Sequence, residues 1–87
     1  MAVTPQTAAT FNGAQPLDGD NPYVDVTLSA AYSSASAYGV QLSINLTDAS
    51  SGIPTISIKA SSKSTTGFRI LASDQWSGTV EITTWDK

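Results

Sequence analysis

The sequence contains no cysteine and no histidine. Without cysteine, the chain has no disulfide and no thiol nucleophile. Without histidine, it lacks the commonest general base and the commonest metal ligand. Serine is abundant, but no imidazole is present to activate a serine hydroxyl. We therefore expect a protein that is not an enzyme, with no catalytic residue, no metal site and no cofactor.

The acidic residues offer two weak alternatives to this expectation. Asp74 and Glu81 are the best pair for a glycosidase, which needs two carboxylates that flank a cleft. A chain of 87 residues has little material for such a cleft, so we expect both side chains to be solvated. The segment Asp18–Asn21 resembles half of a calcium loop, but it lacks the ligand spacing, and we interpret it as a turn.

Charged residues are scarce: they make up 13% of the chain, with a net charge of −3. Four basic residues are too few to follow a phosphate backbone, so we expect no nucleic-acid partner. No apolar run approaches the roughly 18 residues of a membrane-spanning helix, so we expect no membrane insertion. The first residues lack the charged and apolar regions of a signal peptide, which predicts synthesis in a cytoplasm.

The chain is short enough that its hydrophobic core must be thin. A domain of this size buries little more than about 60% of the surface that its unfolded chain exposes. Disulfides and metals are the usual remedies, and neither is expected here. Self-association is the remaining way to bury more apolar surface, so we expect an oligomer. The alternative is a monomer of low stability.

Residues 1–22 show no sustained periodicity, and three prolines and several turn dipeptides interrupt them. We interpret residues 1–22 as an extended N-terminal arm or linker, and residues 23–87 as the folded domain. Within the arm, Ala8–Phe11 is suited to a short edge strand. The alternative is a disordered tail, which would leave Phe11 exposed for no purpose.

From residue 23 onward, apolar and polar residues alternate, as in strands that are buried on one face. The clearest case is Val40–Thr47. The alternation predicts five strands near residues 23–28, 40–47, 55–60, 68–72 and 79–83. Short turns and the lack of helical crossovers favour antiparallel pairing. We therefore predict an all-β fold, an antiparallel β-sandwich of about six strands with an extended N-terminal arm.

The position of Trp85 depends on the phase of the last strand. Val80 and Ile82 point to one face, whereas Trp85 falls on the opposite, polar face. Either a bulge near Thr83–Thr84 returns Trp85 to the core, or Trp85 lies on the outer face. An outward tryptophan on a small protein is typical of an interface.

With catalysis set aside, the remaining chemistry is binding. An aromatic ring stacks on the apolar face of a sugar, while carboxylate, amide and guanidinium groups bond its hydroxyls. Aromatic and arginine side chains also anchor protein interfaces, so the sequence does not separate the two uses. The candidate residues for binding a ligand or partner are Trp76, Asp74, Gln75, Arg69, Trp85, Tyr32 and Tyr38.

Two stretches resemble H-type lectin domains and the related β-sandwich tips of bacteriophage fibres. Pro22–Ser29 is similar to the P-x-V-x-V-x-L-S strand of that family. Ile56–Ile58 leads into Ser64–Ile70, which is similar to the family's T-T-x-G-F turn into a strand. A loop with Asp74 and Trp76, followed by a last strand that ends near a tryptophan, completes the likeness.

The resemblance implies a six-stranded antiparallel sandwich that assembles as a homotrimer and binds sugars at loops near the subunit boundary. It also implies site residues: Trp76, with Asp74 and Gln75, would supply the aromatic sugar contact. Arg69 is a weaker candidate for the family's polar contact.

Three functional hypotheses follow from these observations. The first hypothesis is a non-enzymatic structural and interaction module of a virion surface, such as a phage capsid-decoration or fibre protein. Its arm would bind other virion proteins, and its exposed loops would bind those proteins or the host surface. The alternative is a carbohydrate-binding, H-type lectin-like protein that recognises a cell-surface glycan. A small hydrolase ranks last.

Overall fold

The computed structural model describes residues 7–48 and 52–87. Within them, the chain forms seven β-strands and one short 3₁₀ turn. The strands are β1 (Thr7–Asn12), β2 (Leu17–Asp18), β3 (Asn21–Thr27), β4 (Tyr38–Asp48), β5 (Ile56–Ile58), β6 (Gly67–Ala72) and β7 (Ser77–Asp86), and the turn is Ala60–Ser62. No helix in these residues is long and apolar enough to cross a membrane.

The strands form two antiparallel sheets. One sheet has three strands in the order β1-β7-β4, and the other has four strands in the order β2-β3-β6-β5. The predicted all-β, antiparallel sandwich is therefore confirmed. Strands β3 to β7 correspond to the five that alternation predicts, and β1 is the predicted edge strand. The short strand β2 was not predicted, because two residues carry no periodicity.

The core lies between the two sheets and is filled by alternate residues of their strands, together with Trp76 from the loop between β6 and β7. The buried hydrophobic residues are Phe11, Val26, Tyr38, Phe68, Ile70, Ala72, Trp76, Val80 and Ile82. Thr84 continues the inward face of β7, and it is only 2% exposed. Its hydroxyl lies 2.8 Å from the hydroxyl of Tyr32, so this buried polar group is hydrogen-bonded.

Residues 7–22 are part of the sandwich, and this corrects the predicted arm over its described part. β1 pairs with β7 along its whole length. Phe11 is 1% exposed and stacks on Trp76, with 4.7 Å between the ring centroids. The Phe11 ring is removed from water by packing between the sheets, which stabilises this placement. β1 also forms backbone hydrogen bonds with the edge of β7 that β4 leaves unpaired. Residues 1–6 of the predicted arm lie outside the described residues.

The ladder between β4 and β7 decides the position of Trp85. Its register is continuous past Thr83–Thr84 and shifts only between Leu46 and Asp48. No bulge in this ladder returns Trp85 to the core. Of the two expectations, the second is confirmed: Trp85 lies on the outer face of the three-stranded sheet, opposite Gly39.

Candidate functional site

Arg69 lies at the centre of a charge network on the outer face of the four-stranded sheet. It stands on β6 directly opposite Asp25 of β3. Its Nε donates to Asp25 Oδ1 at 2.8 Å and its Nη2 donates to Asp25 Oδ2 at 3.2 Å. Its Nη1 donates to Asp18 Oδ2 at 3.0 Å, and the guanidinium lies 3.8 Å from the ring centroid of Tyr23. These contacts fix the plane of the guanidinium.

Lys59 completes the network, because its Nζ donates to Asp18 Oδ2 at 2.8 Å. The hydrogen bond from Lys59, and then the one from Arg69, holds the pKa of Asp18 below its usual value. The hydrogen bonds from Arg69 likewise lower the pKa of Asp25. Asp25 first, and Asp18 second, raise the pKa of Arg69 in return. Two carboxylates face two cations, so the network has no net charge.

Beside this network lies an open polar hollow of about 420 Å³. Adjoining parts of β3 and β6 line it on one side, and the segment from Lys59 to Thr66 lines it on the other. Ser62 anchors that segment: its Oγ accepts the backbone N–H of Arg69 at 2.8 Å and donates to the carbonyl of Lys59 at 2.6 Å. The hydroxyl-bearing residues of the hollow are Thr27, Ser61, Ser62, Ser64 and Thr66.

The polar hollow combines hydroxyls with the fixed side chains of Asp25 and Arg69. The Asp25 side chain is 60% exposed and that of Arg69 is 29% exposed, so both reach solvent while they are paired. A carboxylate accepts hydrogen bonds, a guanidinium donates them, and a hydroxyl does both. This set of groups matches the hydroxyls of a neutral polyol, which also donate and accept hydrogen bonds. A free anion is a poorer match, because each cation already faces a carboxylate.

Trp76 does not lie where the sequence analysis placed it. It is 2% exposed and packs in the core against Phe11, so neither face of its ring is available to a ligand. The predicted aromatic sugar contact is therefore wrong. The indole Nε1 is buried without a hydrogen-bond partner among the described residues. Sequence could not show this, because the same loop pattern arises whether the ring turns outward or into the core.

The two neighbours of Trp76 point elsewhere. Asp74 is exposed to solvent. Gln75 ties its loop to the connection between β1 and β2: its Oε1 accepts the N–H of Gln15 and its Nε2 donates to the Gln15 carbonyl, both at 2.9 Å. Gln75 therefore holds the loop in place. The three loop residues that were expected to share a binding site are not brought together.

The two predicted tyrosines form a structural cluster with Lys63. Tyr38 is fully buried, which corrects its expected role in binding, and its hydroxyl donates to the Ser64 carbonyl at 2.7 Å. Burial, and secondarily Tyr32, raises the pKa of Tyr38. Tyr32 is half-buried and stacks on Tyr38 at 4.4 Å between centroids, while Lys63 Nζ lies 4.2 Å from the Tyr38 centroid. The cluster joins the loop after β3 to the start of β4.

Trp85 lies across Gly39 on the outer face of the three-stranded sheet. A Cβ added at Gly39 would clash with the indole ring of Trp85. The missing side chain at Gly39 is therefore what lets the ring lie against the backbone of β4. Trp85 is half-buried by this contact, and it remains a candidate contact for a partner.

A second candidate surface arises because the sheet edges at β4 and β5 leave apolar side chains incompletely covered. β1 lies against β3, so β4 at the other edge of its sheet lies on the β5 side. β4 has 11 residues and β5 only three, so the opposing sheet is too short to cover β4. Leu46 is 42% exposed, and the other five of these side chains are half-buried. We call the six together the apolar seam: Val40, Leu42, Ile44, Leu46, Ile56 and Ile58.

Sequence reasoning identified Arg69 but missed Asp18, Asp25 and Lys59 around it. One signal was present: Asp25, Lys59 and Arg69 all occupy polar positions of alternating strands and carry complementary charges. Strand order was needed to use that signal, because cross-strand partners are set by the pairing of β3, β6 and β5. The apolar seam was missed because alternation reports which face is apolar, and says nothing of whether that face is covered.

Comparison of the chain with protein-family models, with curated proteins and with solved structures finds no match. The resemblance to H-type lectins and fibre tips therefore stays a prediction. In residues 7–48 and 52–87, no three acidic side chains gather into a group that would hold a metal ion.

Proposed function

We propose that the protein is a non-enzymatic structural and interaction module that associates with copies of itself. The observation that carries this proposal is the apolar seam. Five of its six side chains pack against the core and are still only half-buried, and Leu46, near the end of β4, is 42% exposed. Contiguous exposed apolar surface of this kind is typical of an interface, where a partner removes it from water.

The test of self-association is the mass in solution. For the wild-type chain at micromolar concentration, light scattering should report a multiple of the 9.0 kDa chain mass. Leu46→Glu places a charge at the exposed end of the seam and should shift the protein toward the monomer. Leu17→Glu is the matched control, because Leu17 is 58% exposed on β2, away from the seam. A monomeric wild-type mass would refute self-association.

We propose a virion surface as the setting, in the manner of a phage capsid-decoration or fibre protein. The support for this setting is the resemblance to fibre tips and the strands rich in serine, threonine and alanine. A contact between residues 1–6 and another virion protein is the remaining form of the arm hypothesis. Its test is a chain that lacks residues 1–6 and keeps β1 intact: it should fold as the wild type does and fail to decorate particles. Normal decoration would contradict the arm hypothesis.

The polar hollow favours carbohydrate binding as a second candidate function. Its groups match sugar hydroxyls, although the contact that the resemblance implied, Trp76, is buried. On a glycan array, Asp25→Asn should abolish binding because it removes the exposed carboxylate of the hollow, which is also one of the two that hold Arg69. Asp74→Asn changes the charge equally at an exposed loop position, so it should bind as the wild type does. A blank array for the folded wild-type protein would refute this candidate.

A further inference from the structure

We propose that two copies of the chain pair through the open edges of their β4 strands, antiparallel and around a two-fold axis. This inference rests on the proposed self-association and names its interface. It joins the two three-stranded sheets into one continuous sheet of six strands. The β4 side chains of both apolar seams then lie side by side on the inner face of that sheet.

Between Val40 and Leu46, the open edge of β4 lacks the usual protection. β4 pairs with β7 on one side, and no strand in the described part of the chain pairs with its other side. Natural edge strands are kept from pairing by charges, by proline or by shortness. β4 has 11 residues, and residues 38–47 contain neither a charged residue nor a proline. Such an edge is a template for another strand.

The backbone hydrogen bonds show which residues face the open edge. The carbonyl of Ala37 accepts the N–H of Lys87 at 2.9 Å, so Ala37 is directed toward β7. In an antiparallel ladder, alternate residues direct both backbone groups to the same side. The odd-numbered residues of β4 therefore direct their backbone N–H and C=O groups toward β7. The even-numbered residues, from Tyr38 to Leu46, direct theirs toward the open edge. These even-numbered residues include the β4 part of the apolar seam.

One register uses this edge best. Lys63 Nζ donates to the Tyr38 carbonyl at 2.8 Å, so the available segment begins at Val40 and ends before the register shift that follows Leu46. Centring two antiparallel copies of this segment places Val40 opposite Leu46 of the second copy. Leu42 then lies opposite Ile44 of the second copy. Ser43 meets its own equivalent at the two-fold axis, as a pair without mutual backbone hydrogen bonds.

Charge and symmetry select a second copy as the occupant. The chain has a net charge of −3, so two copies repel each other over most of their surfaces. Residues 38–47 carry no charge, so pairing along this edge brings no charged side chain of this segment against its equivalent. A strand that pairs antiparallel with an identical strand makes an isologous contact, which closes as a dimer. The expected assembly is therefore a dimer, in contrast to the trimer that the resemblance implies.

The test is a single-cysteine cross-link in the full chain, which has no native cysteine. Directly opposed residues that share no backbone hydrogen bonds have Cα atoms about 4.5 Å apart, within disulfide reach. Under mild oxidation, Ser43→Cys should form a disulfide-linked dimer, read by non-reducing electrophoresis and mass spectrometry. Gln41→Cys is the matched control, because Gln41 is also exposed on the outer face and lies two residues away. Two Gln41→Cys copies should cross-link at least about tenfold more slowly, because about 14 Å would separate these positions.

A mixture of Gln41→Cys and Asn45→Cys should cross-link, because these two positions oppose each other in the proposed register. Light scattering of the wild type, expected at twice the 9.0 kDa chain mass, separates the two ways of failing. An oligomer in which Ser43→Cys cross-links no faster than Gln41→Cys would overturn the β4 interface and leave self-association standing. A trimeric mass would overturn the two-fold contact. A monomeric mass would overturn both proposals.

Discussion

Replacement of Phe11 by alanine tests whether the N-terminal segment is part of the folded domain or a separable arm. Phe11 lies in β1, it is 1% exposed and its ring stacks on Trp76 between the sheets. If residues 7–22 were a separable arm, this substitution would leave the stability of the domain unchanged. If β1 closes the core, as the structure shows, the substitution opens a cavity against Trp76.

The expected loss of stability follows from the burial of the ring. Truncating a fully buried phenylalanine to alanine costs about 3–5 kcal/mol, which includes the lost transfer free energy and the cavity. A chain of 87 residues has a total stability of roughly 4–13 kcal/mol. The Phe11→Ala variant should therefore lose a large part of its free energy of unfolding, and at the lower end of this range it should not fold.

The assay is urea unfolding followed by tryptophan fluorescence, at one protein concentration for all variants because association also contributes to stability. Leu17→Ala is the matched control: it removes an apolar side chain from the same segment, but Leu17 is 58% exposed. It should change the free energy of unfolding by no more than about 0.5 kcal/mol. A Phe11→Ala variant within about 1 kcal/mol of the wild type would refute the placement of β1 in the core.

Three further predictions concern the buried tryptophan, the charge network and the outer face. Trp76→Ala should cost about 3–5 kcal/mol in urea unfolding, whereas Trp76→Phe should cost less, because the indole Nε1 has no described partner to lose. The folded-state pKa values of Asp18 and Asp25 are lowered, so their stabilisation is complete above about pH 4 and is lost as pH falls through the folded values. Urea midpoints between pH 7 and pH 2 should show this loss, and Asp25→Asn should reduce it. Gly39→Ala should cost about 1–3 kcal/mol through its clash with Trp85, and Trp85→Ala should relieve most of that cost in a double-mutant cycle.

Each of these three predictions would be contradicted by a specific result. A Trp76→Ala protein of unchanged stability would mean that the ring is not in the core. An acid profile that is the same with and without Asp25 would mean that its pairing with Arg69 contributes nothing to folding. Additive effects of Gly39→Ala and Trp85→Ala would mean that the two residues do not touch.

The strands were predictable because their cause is local. Alternation with a period of two appears in any strand that is buried on one face, and each strand expresses it by itself. The same rule correctly left Trp85 out of phase with Val80 and Ile82. β1 was predictable only as a short edge strand, and its role in closing the core was not, because it depends on β7, some 70 residues further along the chain.

The candidate site was less predictable than the fold. Arg69 was selected for its chemistry, and the structure places it in the polar hollow. Trp76 was selected by the same reasoning and lies in the core. The two differ in the direction of their side chains, and for a loop residue that direction follows from packing against distant parts of the chain. For Trp76 the decisive neighbour is Phe11.

The amino-acid sequence by itself determined the fold class, the absence of cysteine and histidine chemistry, and the alternation that gives each strand an apolar face. These properties depend on composition and on neighbours within a few residues. The tertiary structure alone decided that residues 7–22 complete the sandwich and that Asp25 and Asp18 surround Arg69. It also decided that the apolar face of β4 is longer than the strand β5 on the opposing sheet. These properties depend on which strands lie side by side, and strand order results from the simultaneous burial of all apolar faces.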